Sequence, residues 1–449
     1  MNLFSEAPVE KLLCSDPFAC SCGRQHSTAP MQIIRLGSRV LEGLPDTLRK
    51  LEIGKPLLVA DHNTWTAAGQ RCMQLLKDAG IDARLHMLPF DRPEPDEAAV
   101  GSVVMAASRE TDGIIAAGSG VISDICKVTS RAMKLPMITV AAAPSMDGYA
   151  SSCASMLING LKTSLYGTTP NAIFADTDIL VHAPMRMLQA GLGDMITKYV
   201  SLFEWRMANL IRDEYYCAET AALVRRSAEL CFRSAGGLQS RSPEAVAALT
   251  EGLLLSGIGV AYVNVSGPAS GGEHYISHIW DMQNLQKGRI PELHGIQTGI
   301  CTIRMLKIYE HLRSFKPDRE KALYSMAHFP WEEWKRGVER LFGRSAEKII
   351  EARYDHRDQV IRDHAARLDR ILRYWPDLQN SIRSMPTAEE AAALWRKTGA
   401  PISHRDIGKT DQELCDAFIY SPEVRDRYVG SCLIRDLGLT EEAVKWILE

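Results

Sequence analysis

Three things are scarce in this chain: an excess of either charge sign, an unbroken apolar run, and low-complexity sequence. Its 52 Lys and Arg against 55 Asp and Glu leave a formal net charge of -3, so there is no global positive field for a polyanion and a nucleic-acid partner is not expected. The longest apolar stretch, residues 252–265, follows Glu251 and is interrupted by glycines and polar residues. It falls short of the roughly 20 residues that a bilayer span requires. The first twenty residues mix Glu, Lys, Asp and Pro before any apolar segment develops, a texture unlike a secretory leader. No paired cysteine framework is visible either: eleven scattered cysteines in 449 residues suit reduced thiols in a reducing compartment. A soluble, cytoplasmic protein without a membrane span is the expectation.

What is present is ordinary globular composition. Apolar residues make up 46% and charged residues 24%, with Gly and Pro near average usage, and the length suits two or three domains that each bury a core. The first 180 residues alternate short apolar runs with helical patterns, the order that builds a parallel sheet covered by helices. Strands are expected at PLLVAD (56–61), ARLHMLP (83–89), DGIIAAGSG (112–120), PMITVAAAP (136–144) and NAIFAD (171–176), with helices at 64–80, 96–109 and from the glycine loop to Lys134. From Pro184 onward, stretches of 3.6-residue period dominate: 185–210, 215–235, 243–263, 294–313 and several charged ones. The expectation is an N-terminal extension (1–30), an α/β dinucleotide-binding domain with a parallel sheet (31–183) and an all-α domain (184–449), with a functional cleft between the two domains. The Arg-, Glu-, Lys- and Trp-rich region 316–404 reads as solvated helices or a subunit contact.

Gly118-Ser119-Gly120 ends a buried strand and opens a helix. There the backbone N–H groups and the helix N-terminus suit a pyrophosphate, although a strand-ending glycine turn is an equally good reading and the third glycine of G-x-G-x-x-G is missing. Asp61 precedes this loop instead of following it, and reads either as a helix N-cap or as a nucleotide contact. The next strand ends in APSMDGYASS (143–152), whose small residues admit a flat ligand close to the backbone. Asp147 within it either contacts a ligand or stabilises a turn with Gly148.

Asp194 lies in AGLGDMITKYV between glycines that permit close approach. Eighty residues on, SGPASGGEHYISH places His274 and His278 four apart on one helical face. His294 opens another apolar helix. One carboxylate and two or three imidazoles suit Zn²⁺, Ni²⁺ or Fe²⁺ with positions left for substrate; a lone histidine on an apolar helix is more often a satisfied core group, and it is the cluster that points to a metal. Glu273 either joins them or complements the helix dipole. The N-terminal CSCGRQH brings Cys20, Cys22 and His26 near Cys14, but C-x-C is a poorer zinc spacing than C-x-x-C and no second pair follows. It reads as a thiol-bearing tail.

Taken in order, GSGVISD, APSMDGYASS, IFADTDIL, AGLGDMITKY, PASGGEHYISH and LHG resemble the sn-glycerol-1-phosphate dehydrogenase family, within the iron-containing alcohol dehydrogenase and dehydroquinate synthase superfamily. The resemblance runs from about residue 30 to about 310, with RDRYVGSCLIRDLG similar to the family's closing helix. It implies a dehydroquinate synthase-like fold and NAD- or NADP-linked, reversible reduction of dihydroxyacetone phosphate to sn-glycerol 1-phosphate with one divalent ion, Zn²⁺ or Ni²⁺. By the same resemblance Asp194, His274 and His294 are the metal ligands, Asp194 also facing the substrate. Asp147 and His278 are the catalytic and substrate-binding residues. Asp61, Gly118, Ser119, Gly120, Val121, Ile122, Ser123, Asp124, Ala142, Ala143, Pro144, Ser145 and Ser151 are implied to bind the cofactor. Lys162 and Lys198 are candidates for the substrate phosphate, each reading also as a surface or helix-pairing lysine. A homo-oligomer, a dimer or larger, is expected. The chain departs from the family pattern at CSCGRQH and in a charged insertion at about 312–410. The rival readings are a glycerol or polyol dehydrogenase of the same superfamily, a dehydroquinate-synthase-like lyase that cycles its hydride internally, and a non-catalytic nucleotide-binding scaffold.

Overall fold

A computed structural model of the chain describes residues 8–449 apart from 15, 91 and 160. Among the described residues the first half holds ten strands: β1 (Phe18–Ala19), β2 (Gln25–His26), β3 (Ile33–Gly37), β4 (Pro56–Ala60), β5 (Arg84–Met87), β6 (Gly113–Gly118), β7 (Met137–Ala141), β8 (Cys153–Ile158), β9 (Leu161–Tyr166) and β10 (Ala172–Asp176). Six of them form one sheet in the order β3-β10-β7-β6-β4-β5, with every pairing parallel. β1–β2 and β8–β9 are separate antiparallel hairpins. The period-2 geometry of a strand explains why β4, β6, β7 and β10 are buried along their whole length. Leu57, Val59, Ile114 and Ala116 face one way, onto Val103, Ile122 and Ile125. Leu58, Ile115, Ile138 and Phe174 face the other, onto Leu44, Leu48, Cys72 and Leu76.

The strand order fixes where a ligand can sit. From β4 the chain crosses to β5 on one side and then returns to β6 on the other. This reversal opens a crevice beyond the carboxyl ends of β4 and β6, the place where open parallel sheets bind ligands. Asp61 follows β4, and Gly118-Ser119-Gly120 begins on the last residue of β6.

The chain divides into two compact units. The first runs to Met195 and adds Cys217–Ala269 and Lys397–Ala400. It therefore holds the helices Ala218–Ser234 and Pro243–Val263 as well as the sheet. Among the described residues, Pro243–Val263 is long and apolar enough to cross a membrane, longer than the apolar run read from sequence, and 83% of its apolar window is buried inside the protein. The remaining residues form the second, helical unit.

Two local differences from the sequence reading have clear causes. The stretch expected as one helix over 185–210 is two, Met185–Ile196 and Lys198–Arg212, with Thr197 between them. The charged region is less solvated than its composition suggests: in helix Arg357–Arg383 the residues Leu368, Ile371, Trp375, Leu378 and Ile382 are buried at 3.6-residue spacing. Arg370 anchors this helix by donating to the Leu210 carbonyl at 2.8 Å.

Candidate active site

In the first unit the glycine loop is shaped by what packs beneath it. A Cβ on Gly118 would lie 2.5 Å from Ile122 Cγ1, so glycine here lets helix Gly120–Met133 close directly onto β6. The first bond of that helix runs from Ser123 N to Ser119 O at 3.0 Å, and the Ser119 side chain makes no cap. The N–H groups of Gly120, Val121 and Ile122 thus begin the helix without an intrahelical acceptor, as at any helix start. Asp61 does serve as an N-cap: Thr64 N donates to Asp61 Oδ1 at 2.7 Å, and Asp61 N donates to Thr64 Oγ1 at 2.9 Å.

The loop after β7 is held from below by a lysine that the sequence reading did not single out. Lys127 is fully buried and donates to the carbonyls of Gly148, Ser151 (2.8 Å) and Cys153 (3.1 Å). Burial pulls its pKa below the usual lysine value, against the opposing pull of Asp124. Asp124 accepts from Ser155 N at 3.1 Å, and burial pushes its carboxyl up to about 6. Ser151 Oγ donates to Gly148 O at 3.0 Å, so its hydroxyl shapes the loop. Tyr149 Oη reaches the carbonyls of Gly118 at 3.0 Å and Ala143 at 2.8 Å, stapling the two strand-end loops together. Ala142, Ala143 and Ser145 are buried around this staple, beside Pro144.

Asp147 and Asp194 meet here. Asp147 N donates to Asp194 Oδ2 at 2.9 Å, and Asp147 Oδ2 accepts from Ser256 Oγ at 2.8 Å. Close helix approach makes both contacts possible: a Cβ on Gly191 would lie 2.0 Å from Pro144 O, and one on Gly257 2.5 Å from Asp147 O. Asp194 itself is 1% exposed.

In the second unit three imidazoles converge. His274 and His278 lie one turn apart on helix Gly272–Gln286, and His294 opens helix His294–Leu312. The ring centroids of His274 and His294 are 5.0 Å apart, those of His274 and His278 6.4 Å, and those of His278 and His294 6.1 Å. His274 Nδ1 lies 2.8 Å from Glu273 Oε1, an arrangement that fixes the ring and leaves Nε2 for other work. Glu273 is fully buried, its Oε1 also accepting from Gly271 N at 2.7 Å. Glu204, equally buried, accepts from Gly272 N at 2.7 Å and Tyr309 Oη at 2.6 Å. Burial pushes both carboxyls above the usual range, and repulsion from Glu273 adds to the rise at Glu204. Lys198 is 1% exposed, which corrects the surface reading of this residue, and its charge favours ionised Glu273 together with that of Arg427. Lys162 sits half-buried on β9.

The comparisons with known proteins agree with this architecture. The family model for iron-containing alcohol dehydrogenase matches residues 35–184. A curated glycerol-1-phosphate dehydrogenase of Bacillus subtilis, described as NAD(P)+-using, is 32% identical over 420 residues, covering 91% of this chain and 93% of that one. The chain belongs to the glycerol-1-phosphate dehydrogenase family. A second family member, from Halalkalibacterium halodurans, is 34% identical over 295 residues, 65% of this chain and 74% of the relative. The fold is shared more widely: the crystal structure of glycerol dehydrogenase from Schizosaccharomyces pombe superposes with a TM-score of 0.61 at 16% identity, covering 93% of this chain and 90% of that one.

Ser256, Glu204, Tyr309 and Arg427 escaped the sequence reading along with Lys127. Each lies far along the chain from the motif it supports, and a serine or tyrosine on an apolar helix carries no local signal of its partner.

Proposed function

We propose that this chain catalyses the NAD(P)H-linked, reversible reduction of dihydroxyacetone phosphate to sn-glycerol 1-phosphate, with Asp194, His274 and His294 holding one divalent ion. The observation that carries the reading is the convergence of three imidazoles within one helical unit in a chain whose relatives are glycerol-1-phosphate dehydrogenases. The donor set fits such an ion: imidazole nitrogens and a carboxylate are ligands of Zn²⁺ and Ni²⁺, and the Glu273 contact at His274 Nδ1 directs Nε2 outward as the ligating nitrogen. When bound, the ion supplies Lewis-acid polarisation of the ketone.

The rest of the chemistry belongs to the chain. The helix start at Gly118, Ser119, Gly120, Val121 and Ile122 binds the cofactor pyrophosphate through N–H groups and the helix dipole. Asp61 and Ser123 flank the adenosine side. Ala142, Ala143, Pro144 and Ser145 admit the flat nicotinamide, while Lys127, Asp124 and Ser151 hold the neighbouring backbone in place. Held by these residues, the nicotinamide would supply hydride to one face of the ketone, so the loop sets the stereochemistry by positioning. Asp147, oriented by Ser256, accepts from a substrate hydroxyl. His278, one turn from His274, gives the proton to the developing alkoxide. Lys198 offers the substrate phosphate a buried cation. A cytoplasmic setting and an assembly of two or more copies belong to the same reading.

Turnover of dihydroxyacetone phosphate against dihydroxyacetone tests it. A strong preference for the phosphorylated ketone supports the reading, and equal or better use of dihydroxyacetone assigns the chain to the polyol dehydrogenases.

A further inference from the structure

The N-terminal thiols do not stay alone in the fold. Cys20, Cys22 and His26 lie on the β1–β2 hairpin, and helix Ala218–Ser234 brings Cys217, its N-cap residue, against them. All four belong to the first unit. We propose that these residues form a closed Cys₃His site for a structural Zn²⁺, separate from the ion of the reaction.

Three of the six edges between these donor atoms have the length that a tetrahedral site requires. With Zn–S near about 2.3 Å and Zn–N near about 2.05 Å, tetrahedral angles put neighbouring sulfurs about 3.8 Å apart and a sulfur and a nitrogen about 3.6 Å apart. Cys20 Sγ and Cys217 Sγ are 3.7 Å apart. His26 Nε2 lies 3.4 Å from Cys22 Sγ and 3.5 Å from Cys217 Sγ. All four ligand atoms lie within 4.8 Å of one another. A Cys20–Cys217 disulfide would need the sulfurs at about 2.05 Å.

The surroundings are built for the same purpose. His26 Nδ1 donates to the Tyr262 carbonyl at 2.8 Å, which fixes the tautomer and leaves Nε2 as the ligand. Cys217 Sγ accepts from Thr220 N at 3.5 Å, which orients the sulfur at the helix start. The hairpin turns on Gly23 at φ +83°, with Gly23 N donating to Cys20 O and Cys20 N to Arg24 O, both at 3.0 Å. That turn lets a C-x-C pair and a histidine four residues on share one centre. Phe18 stacks edge-on to His26 and to Tyr262, and Tyr262 Oη donates to Leu12 O. The ion pins the N-terminal segment onto the helices Ala218–Ser234 and Pro243–Val263. With four protein ligands it has no position open for chemistry.

The test is metal analysis of the full-length protein, purified under reducing conditions, in wild type and in the Cys20→Ser/Cys22→Ser variant, with cobalt substitution of wild type as a second readout. The expected result is one zinc per chain fewer in the variant, and a thiolate-to-cobalt charge-transfer band in the cobalt-loaded wild type. Should the variant not fold, the cobalt band of wild type decides the matter. Equal zinc in the two proteins, a cobalt spectrum without the thiolate band, or a wild-type mass two hydrogens light from a Cys20–Cys217 disulfide would each overturn the proposal.

Discussion

The main-chain amide of Asp147 donates to Oδ2 of Asp194 at 2.9 Å. This bond joins the loop after β7 to helix Met185–Ile196, so the loop proposed to receive substrate and the acid proposed as a metal ligand are positioned together. A charge-assisted bond of this kind holds the carboxylate rotamer.

Asp194→Asn keeps an oxygen for the Asp147 amide but removes the charge. Lewis-acid stabilisation is worth several kcal/mol, so activity is expected to fall by about 10²-fold or more, with metal content falling in parallel and the circular dichroism spectrum unchanged. Full metal retention would remove Asp194 from the ligand set.

The two histidine roles separate by metal analysis. His294→Ala is expected to lose the ion and activity together. His278→Ala is expected to keep the ion while kcat drops by about 10²- to 10⁴-fold, the usual contribution of a proton donor. Loss of the ion from the second variant would mean that the roles are exchanged.

Lys127→Met leaves three loop carbonyls without their buried donor. Gly148 O keeps Ser151 as a donor, and each carbonyl left unpaired costs about 1–3 kcal/mol. A lower Tm and a raised KM for the nicotinamide cofactor are expected. An unchanged cofactor KM would show that the loop holds its shape without the lysine.

Gly191→Ala places a Cβ 2.0 Å from the Pro144 carbonyl oxygen. Backbone cannot yield as a side-chain tip does, and overpacking costs about 1–3 kcal/mol. Thermal unfolding is expected to report that loss; a wild-type Tm would contradict the packing described here.

The acid limb of stability has an identifiable contributor in Glu413. Burial by itself would raise this carboxyl, but the Thr410 amide, Lys287 at 2.9 Å and Lys409 outweigh it and bring it down to about 2. A folded-state pKa below the unfolded one stabilises the protein above the unfolded value, and the contribution is lost as pH falls from about 4.5 toward 2. Glu413→Gln is therefore expected to flatten the dependence of Tm on pH in that window; an unaltered slope would assign the acid limb to other groups.

Much of the fold was legible because burial on both sheet faces writes itself as continuous apolar runs. The strands read at 56–61, 112–120 and 136–144 fall within three residues of Pro56–Ala60, Gly113–Gly118 and Met137–Ala141. β3 and the β8–β9 hairpin were not read, since Ile33–Gly37 lies at a sheet edge with Arg35 exposed, and β8 alternates buried and half-buried residues without a strong apolar signal. His274, His278 and His294 could be grouped because the helical period puts two on one face and the third begins the next helix. Lys127, Ser256 and Cys217 could not. Each acts on a partner 21 to 197 residues away, and only folding sets that pairing. Cys217 shows the point most sharply: the C-x-C segment lacked a second pair nearby, and its fourth donor came from a helix start in another part of the chain.

The stereochemistry of the product is decisive. Metal-loaded protein given dihydroxyacetone phosphate and NADH is expected to oxidise the nicotinamide one-for-one and to release sn-glycerol 1-phosphate, with the chelated protein inactive. Formation of the sn-3 enantiomer, or turnover without net NADH oxidation, would contradict it.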